Sequence, residues 1–309
     1  MKIKIGVIGS GEHFTRNIYP SIIKHKSFRL EGILSKKKKE YLNIRCYSEA
    51  EFFKLDLDIV YISTPSKIHA KYILKSLKKK INVVCEKPLC TNLSQLNKIK
   101  KLTQKNKLFL FEGFMYRFHP AFKYIKKIID TDKFGKIISV KSSFTIPKLN
   151  KNNNRYNLKT GGGFFLDLAV YPLSLNHYLF GRKIKSKSFV SKTYKNNKRL
   201  SLRGDITIKD NFKMDYKWGV SLDYSNFLEI VFKNGKLNTS RFYSKNKYDK
   251  TEIYLNSKKF FKKSFKPLDQ FYLMFDYIQR NYRYKSIKQK ELENVELHFN
   301  NLIRFKNDF

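Results

Sequence analysis

Apolar residues in the first part of the chain alternate between two spacings. Short runs of Ile, Val and Phe predict buried strands, and stretches with an apolar residue every three or four positions predict amphipathic helices. The predicted strands cover residues 2–8, 29–34, 58–63, 83–86 and 108–111, and the predicted helices run from a glycine turn at 9–11 to residue 24, then over 69–78 and 94–105. Such alternation is typical of a parallel sheet covered on both faces. We therefore expect residues 1–118 to form a doubly wound, dinucleotide-binding Rossmann domain.

The pattern changes after Pro120. A helix over residues 121–129 and a strand over 136–144 are followed, from about residue 186, by strands of alternating polarity, among them 227–232, 237–243 and 251–255. Turn signals such as Asn234-Gly235 are typical of antiparallel pairing. Helices are predicted over 268–279 and 290–305. Residues 119–309 are therefore expected to form a second α/β domain with a large, mostly antiparallel open sheet.

The chain has 309 residues with 65 Lys and Arg against 25 Asp and Glu, a formal net charge of +40. Such an excess invites a nucleic-acid interpretation, because cations release counterions from phosphates. However, 53 of the 65 basic residues are lysines spread along the chain, whereas specific base recognition favours arginine. The accompanying richness in Asn, Ile, Phe and Tyr indicates compositional drift. No specific nucleic-acid partner is therefore predicted.

Cysteine spacing and hydropathy exclude further classes. The three cysteines, Cys46, Cys85 and Cys90, form no C-x-x-C pair, which argues against a disulfide framework and a structural zinc site and fits a reducing cytoplasm. No cluster of His, Cys and carboxylates has metal-ligand spacing, so no metal is predicted. No uncharged run reaches the length of a membrane span, and no signal peptide is recognisable at the N-terminus.

The turn Gly9-Ser10-Gly11 follows a predicted strand and opens a helix. In that setting glycines let the backbone approach a pyrophosphate at the helix N-terminus. Phe14 occupies the third glycine position of the motif, so the helix is expected to begin slightly displaced. The position that carries an acid in NAD-binding proteins is Ser35, followed by Lys36. Because cations beside a hydroxyl suit a 2′-phosphate, we predict NADP(H) over NAD(H).

Residues 161–181 contain one charged residue, Asp167, in an otherwise lysine-rich chain. This lack of charge indicates a glycine-rich entry into a buried helix. A carboxylate in such surroundings needs a partner, which makes Asp167 a functional candidate, with a satisfied core carboxylate as the alternative. Tyr171 lies four residues further on and is predicted to share its helical face.

Several motifs then occur in one order along the chain. They are the glycine turn, Thr64-Pro65-Ser66-Lys67-Ile68-His69, Glu86-Lys87-Pro88-Leu89, residues 112–120, and the triple glycine followed by Asp167 and Tyr171. Together they resemble the glucose-fructose oxidoreductase/inositol dehydrogenase (Gfo/Idh/MocA) family over residues 2–181. A tyrosine at position 171 is similar to the branch that contains glucose-fructose oxidoreductase, dihydrodiol and xylose dehydrogenases, and sugar 3-ketoreductases.

The resemblance implies roles for individual residues. Lys87 would lie between nicotinamide and substrate, with Pro88 after a cis peptide, and Tyr171 would exchange a proton with the substrate oxygen, Lys87 being the alternative donor. Asp167 would bind a substrate hydroxyl or orient the pair, and Arg155 would bind substrate. The implied cofactor residues are Gly9, Ser10, Gly11, Phe14, Ser35, Lys36, Thr64, Pro65, His69, Glu86, Lys87 and Arg117.

The histidines have a less specific interpretation. For His69, as for His119 and His177, capping or packing is favoured over chemistry. His69 begins a predicted helix and His119 precedes Pro120.

The resulting hypothesis is an NADP(H)-dependent oxidoreductase that transfers a hydride between nicotinamide and a sugar carbonyl or hydroxyl. The substrate is either a nucleotide-linked keto-sugar or a free aldose or polyol. The alternatives are a cofactor-binding regulator without turnover and a basic nucleic-acid-binding protein. The resemblance also implies a homodimer or homotetramer formed through the C-terminal sheet.

Overall fold

The computed structural model describes residues 1–35, 40–157, 163–181, 189–195 and 200–306. The chain divides into two compact units. The first contains Met1–Phe114 and Phe271–Glu296, and the second contains Met115–Gln270 and Leu297–Phe309. The division into domains at residue 118 stays a prediction. The compact units differ from it because the segment Phe271–Glu296, near the end of the chain, packs with the N-terminal sheet.

The strands of the first unit form a seven-stranded sheet. They are β1 (Ile3–Ile8), β2 (Phe28–Leu34), β3 (Glu40–Tyr41), β4 (Ile44–Tyr47), β5 (Ile59–Ile62), β6 (Asn82–Cys85) and β7 (Leu110–Glu112). Their order is β3-β4-β2-β1-β5-β6-β7, and all neighbours are parallel except β3 and β4. Because β1 lies between β2 and β5, the chain changes direction across the sheet there, which opens a crevice at the carboxyl ends of β1 and β5.

In the part of the chain that the structure describes, eight α-helices accompany the strands of both units. They are α1 (Tyr19–Lys24), α2 (Glu49–Phe52), α3 (His69–Lys78), α4 (Leu93–Asn106), α5 (Pro120–Asp130), α6 (Val170–Tyr178), α7 (Gln270–Asn281) and α8 (Lys285–Lys306). Two π-helical turns, Phe14–Ile18 and Phe165–Ala169, lead into α1 and α6. In the described ranges, no helix is long and apolar enough to cross a membrane.

The second unit is built on an eight-stranded sheet. Its strands are β8 (Ile137–Ile146), β9 (Phe189–Lys195), β10 (Ser201–Lys209), β11 (Lys213–Val220), β12 (Ser225–Phe232), β13 (Gly235–Ser240), β14 (Thr251–Asn256) and β15 (Phe260–Phe265). The order is β15-β14-β13-β12-β8-β11-β10-β9; among the strand pairs of the described residues, the β8–β11 pair is parallel and the others are antiparallel. Burial alternates along β12, because one face of the sheet is covered and the other is open. The predicted fold class, a Rossmann sheet followed by a mostly antiparallel open sheet, is confirmed.

Candidate active site

The glycine turn lies at the carboxyl end of β1, beside the loop that follows β5. Gly9 has φ +101°, and a Cβ at this position would lie 2.7 Å from the carbonyl oxygen of Ser63. That contact distance and the left-handed backbone both exclude a larger residue. Gly9 therefore lets β1 and β5 approach closely at the crevice between them.

Gly11 has open space around it, in contrast to the crowded position of Gly9. A Cβ at Gly11 would have no atom within 4 Å, so the protein itself does not require a glycine there. The helical segment begins directly afterwards, and the Thr15 amide donates to the Gly11 carbonyl. Nearby, the Thr64 hydroxyl is buried and has no hydrogen-bond partner in the part of the chain that the structure describes. An open helix N-terminus beside an unpaired buried hydroxyl fits the phosphates and ribose of a dinucleotide.

Phe14, predicted to lie at the cofactor, is fully buried. Its ring packs 5.9 Å from the Tyr19 ring and 6.4 Å from the Tyr41 ring, measured between centroids. A π-helical turn begins at this residue, and its wider i→i+5 turn accommodates the bulk where the motif has a glycine. The side chain is thus a core residue beneath the helix, and its assignment as a cofactor contact stays a prediction.

The residues predicted to distinguish NADP(H) from NAD(H) come after β2. The Ser35 amide donates to the Tyr47 carbonyl at 3.2 Å, and the residue is half-buried. Lys36 lies outside the described residues. Among the described residues, the predicted preference for NADP(H) therefore depends on Ser35, which occupies the position where NAD-binding proteins carry an acidic residue.

Glu86 follows β6 and is 9% exposed. Its Oε1 lies 2.9 Å from Nε2 of His13 and also accepts a hydrogen bond from the Tyr61 hydroxyl. Burial alone would raise the pKa of Glu86, but His13, Tyr61 and the Lys87 ammonium outweigh it and lower the pKa to about 2. A fixed negative charge therefore stands directly before Lys87.

Lys87 is half-buried and is joined to Pro88 by a cis peptide bond, as the resemblance implies. His69, at the start of α3, contacts the loop that carries both residues. Its Nδ1 lies 2.9 Å from the Pro88 carbonyl oxygen and its Nε2 lies 2.7 Å from the Thr64 carbonyl oxygen. A capping side chain would accept from helix N–H groups, so this contact is not a cap. Pro65, the next residue after Thr64, is exposed.

Tyr171 belongs to α6 in the second unit and is 5% exposed. Its ring centroid lies 4.5 Å from that of Phe144, 5.5 Å from that of Tyr243 and 6.4 Å from that of Tyr116. The Tyr243 hydroxyl bonds to Ser142 at 2.6 Å. The predicted proton-transfer residue therefore sits in an aromatic cluster of Tyr116, Phe144 and Tyr243, where little water reaches its ring.

Asp167 lies in the π-helical turn before α6, with 20% of its side chain exposed. Its Oδ2 accepts from Nε of Arg155 at 2.5 Å, and Arg155 is 41% exposed. The expected partner of this carboxylate is thus Arg155, itself a predicted substrate residue. The triple glycine lies mostly outside the described residues, since only Gly163 is described; it has φ +86°.

Arg117 lies in a 3-10 turn, Met115–Phe118, of the second unit. Its guanidinium lies 4.0 Å from the ring centroid of Tyr178, a cation–π geometry that fixes the side chain. Its role at the cofactor stays a prediction.

His119 accepts a hydrogen bond on Nδ1 from the Ala121 amide at 3.1 Å and caps α5, which agrees with its interpretation as a capping residue.

Sequence reasoning missed the residues that hold Glu86 and surround Tyr171. His13 lies two positions after Gly11, and this position beside the glycine turn was the one sequence signal that could have identified it as a site residue. Tyr61 reads as an ordinary strand residue, and Tyr243 lies in a region with no recognised motif. Across the described ranges, no group of three or more His, Cys, Asp and Glu is placed to hold a metal, and Cys46, Cys85 and Cys90 form no disulfide.

Comparisons with known proteins agree with this geometry. Residues 3–114 match the family model for the oxidoreductase family with an NAD-binding Rossmann fold, and residues 122–255 match the model for the GFO/IDH/MocA C-terminal domain. A dTDP-3,4-didehydro-2,6-dideoxy-alpha-D-glucose 3-reductase from Actinomadura kijaniata is 26% identical over 252 residues, which are 78% of this chain and 76% of that protein. Two further reductases of that name are covered over 56% and 57% of their length.

Solved structures show the same fold. A 3-ketoreductase from Actinomadura kijaniata, in complex with NADP and TDP-benzene, superimposes with a TM-score of 0.91 at 22% identity, covering 100% of this chain and 98% of that one. An aldose-aldose oxidoreductase from Caulobacter crescentus has a TM-score of 0.80 at 17% identity, covering 98% of both chains. With both domain models matched in order, the chain belongs to the Gfo/Idh/MocA family of oxidoreductases.

Proposed function

We propose that this protein is an NADP(H)-dependent oxidoreductase that transfers a hydride between nicotinamide and a sugar carbonyl or hydroxyl. The observation that carries the proposal is the glycine turn at the crevice between β1 and β5, with Lys87 in the loop after the neighbouring strand β6. Ligands bind at the carboxyl ends of strands at such a change of direction. The matched oxidoreductase family supports hydride chemistry there.

In this proposal the first unit holds the cofactor. The backbone of Gly9, Ser10 and Gly11 binds the pyrophosphate at the helix N-terminus. The buried Thr64 hydroxyl and Pro65 lie beside the nicotinamide ribose. Ser35 and Lys36 bind the 2′-phosphate by donating hydrogen bonds to it. NADP in the 3-ketoreductase complex supports this choice of cofactor. When bound, the cofactor supplies or accepts the hydride at nicotinamide C4.

The protein's own residues manage the proton. In the reductive direction the ketone carbon gains a hydride and its oxygen gains a proton from Tyr171 or Lys87. In the oxidative direction the same group takes that proton from the hydroxyl. Asp167, held by Arg155, is proposed to bind a substrate hydroxyl.

Two substrate classes fit the chemistry. The relatives named as reductases of dTDP-linked dideoxy keto-sugars support a nucleotide-linked keto-sugar. The relatives named as dihydrobenzenediol dehydrogenases, and the structural neighbour named as an aldose-aldose oxidoreductase, support a free diol or aldose. We propose the keto-sugar as the first class to test.

The first experiment is a titration with NADPH, NADH and ADP-ribose at physiological salt. Nicotinamide fluorescence follows the first two, and displacement of bound cofactor follows ADP-ribose. We expect NADPH to bind at least about tenfold more tightly than NADH, a difference of about 1.4 kcal/mol. Saturable binding without turnover on any keto-sugar, aldose or diol would favour a regulator. No saturable binding of either nucleotide would contradict the proposal and reopen the nucleic-acid interpretation.

The catalytic assignment is tested by Lys87→Ala and Tyr171→Phe. Each should reduce turnover by about 100-fold or more, the usual contribution of a positioned acid or base, and leave the NADPH dissociation constant within about threefold of wild type. Lys71→Ala and Tyr254→Phe, outside the proposed site, are the matched controls. Unchanged rates in both test variants would contradict the mechanism.

We also propose that the open face of the second sheet pairs with a second copy of the chain. On that face Lys236 contacts Glu229 at 2.9 Å and Lys262 contacts Glu252 at 2.8 Å. Paired charges reduce repulsion between two copies of a chain with a net charge of +40. Light scattering should show a dimer or tetramer that Phe227→Lys, on this face, dissociates and Tyr284→Lys does not. A monomeric wild type would contradict this assembly.

A further inference from the structure

His69 is a buried histidine that lies four positions after Pro65, at the start of α3. It is 1% exposed, and both ring nitrogens lie within hydrogen-bond distance of backbone carbonyl oxygens. The Thr64 carbonyl belongs to the loop after β5, and the Pro88 carbonyl belongs to the loop after β6. One side chain therefore joins the two loops.

The chemistry of the contacts shows what the side chain contributes. Carbonyl oxygens only accept, so each ring nitrogen stabilises its contact only when it carries a proton. Burial lowers the pKa of His69 below its ordinary value, although the two carbonyls and Glu86 favour the cation. Only the imidazolium donates to both carbonyl oxygens, whereas the neutral ring carries one N–H and donates to one of them; in either form both polar edges of the ring are occupied by backbone. It has no edge left to bind cofactor or substrate.

We propose that His69 is a positioning residue that fixes the Thr64-Pro65 loop and the Lys87-Pro88 loop relative to each other. This inference rests on the proposed function, which assigns Thr64 to the nicotinamide ribose and Lys87 to the reacting oxygen. As the imidazolium, the side chain holds the cofactor loop through Nε2 and the peptide that follows Lys87 through Nδ1. We call the contact of Nε2 with Thr64 and the contact of Nδ1 with Pro88 the two arms of His69. The first arm affects cofactor binding, and the second affects the environment of the Lys87 amine.

Two substitutions separate the arms. An asparagine amide takes the place of Nδ1 and keeps a donor for Pro88, whereas a glutamine amide reaches the place of Nε2 and keeps a donor for Thr64. His69→Asn and His69→Gln are therefore compared with the wild type. His25→Asn is the matched control, because His25 is a buried histidine of the same unit, 5% exposed, whose Nδ1 accepts from the Ser27 amide at the other end of the sheet.

Three readouts are measured on the full chain. Nicotinamide fluorescence gives the NADPH dissociation constant, thermal unfolding gives Tm, and competitive acetylation with mass spectrometry of the Lys87 peptide gives the reactivity of that amine against pH. Losing one buried hydrogen bond costs about 1 kcal/mol, or about fivefold in an equilibrium constant. His69→Asn should weaken NADPH binding about fivefold and leave Lys87 reactivity within about twofold. His69→Gln should leave NADPH binding within about twofold of wild type and change the reactivity of Lys87 about fivefold.

The outcomes separate the inference from the function on which it rests. The inference is overturned if both His69 variants change NADPH binding and Lys87 reactivity equally, in proportion to their loss of Tm, and if His25→Asn does the same. Such a result would show that His69 has a packing role only. If the wild type binds no NADPH, the proposed function fails. The Lys87 reactivity of the two variants still decides the inference in that case, because a response in His69→Gln that is absent in His69→Asn supports it and equal responses overturn it.

Discussion

Gly9 and Gly11 are two positions apart, but different requirements act on them. At Gly9 the backbone has φ +101° and a Cβ would clash with the Ser63 carbonyl. At Gly11 a Cβ would meet no protein atom, so only a ligand would make a side chain unfavourable there.

Alanine at each position tests this difference. Gly9→Ala should lower the free energy of unfolding by at least about 1–3 kcal/mol, because of the strained backbone, and also weaken NADPH binding. Gly11→Ala should leave stability within about 0.5 kcal/mol and weaken NADPH binding alone. Urea unfolding and nicotinamide fluorescence measure the two effects. A Gly11→Ala variant that binds NADPH like the wild type would place the pyrophosphate elsewhere.

Glu86 predicts a pH dependence. Its pKa in the folded chain is about 2, below the value of about 4.3 in an unfolded chain. Its contribution to stability is therefore present above about pH 4.3 and is lost as the pH falls towards 2. Glu86→Gln should lower the free energy of unfolding at pH 7 by a few kcal/mol, and this difference from wild type should shrink between pH 5 and pH 3.

Urea unfolding at each pH measures the Glu86 effect. Glu12→Gln is the control, since the Glu12 side chain is 79% exposed and surface charges contribute little. A difference between Glu86→Gln and wild type that does not change with pH would contradict an ionised, hydrogen-bonded Glu86.

At the scale of elements, the π-helical turn Phe14–Ile18 explains how the helix after the glycine turn tolerates a bulky residue. Phe14 is fully buried against Tyr19 and Tyr41. Phe14→Ala should therefore cost about 3–5 kcal/mol of stability through the cavity that it leaves, and it should not tighten NADPH binding. Thermal unfolding and cofactor titration check both statements. An unchanged Tm with tighter NADPH binding would show instead that Phe14 obstructs the cofactor.

Most elements of the first unit follow from local pattern. The helix predicted over residues 69–78 is observed as His69–Lys78, and the strand predicted over 2–8 as Ile3–Ile8, because periodic burial marks such segments in the sequence itself. The short hairpin of β3 and β4 was missed, since two- and four-residue strands are too short to show a period. The exposed edge strand β15 (sequence FFKKSF) was missed because it has no alternation.

At the scale of the whole chain, buried histidines predict sensitivity to acid. Burial, with Lys245 nearby, lowers the pKa of His119 to about 3, against about 6.5 in the unfolded chain. Below about pH 6.5 the unfolded chain therefore binds a proton that the folded chain does not, and stability falls as the pH decreases. Burial lowers the pKa of His298 to about 3 as well, so both histidines act in the same direction.

His119→Asn tests this effect, because asparagine keeps an acceptor for the N-cap of α5 but does not titrate. The loss of unfolding free energy between pH 6 and pH 4 should become less steep by about 1.4 kcal/mol per pH unit. Urea unfolding at several pH values at constant ionic strength measures the slope. A slope equal to that of the wild type would show that the folded chain already binds this proton.

The sequence by itself determined the two-sheet fold class and the residues at the strand ends, because hydrophobic periodicity and glycine turns are local properties of a chain. Tertiary structure decided which of those residues act together. His13 and Tyr61 meet Glu86 from 73 and 25 positions away, and Arg155 meets Asp167 from 12. Such contacts depend on strand order and helix packing, which bring distant segments together and which no local pattern contains.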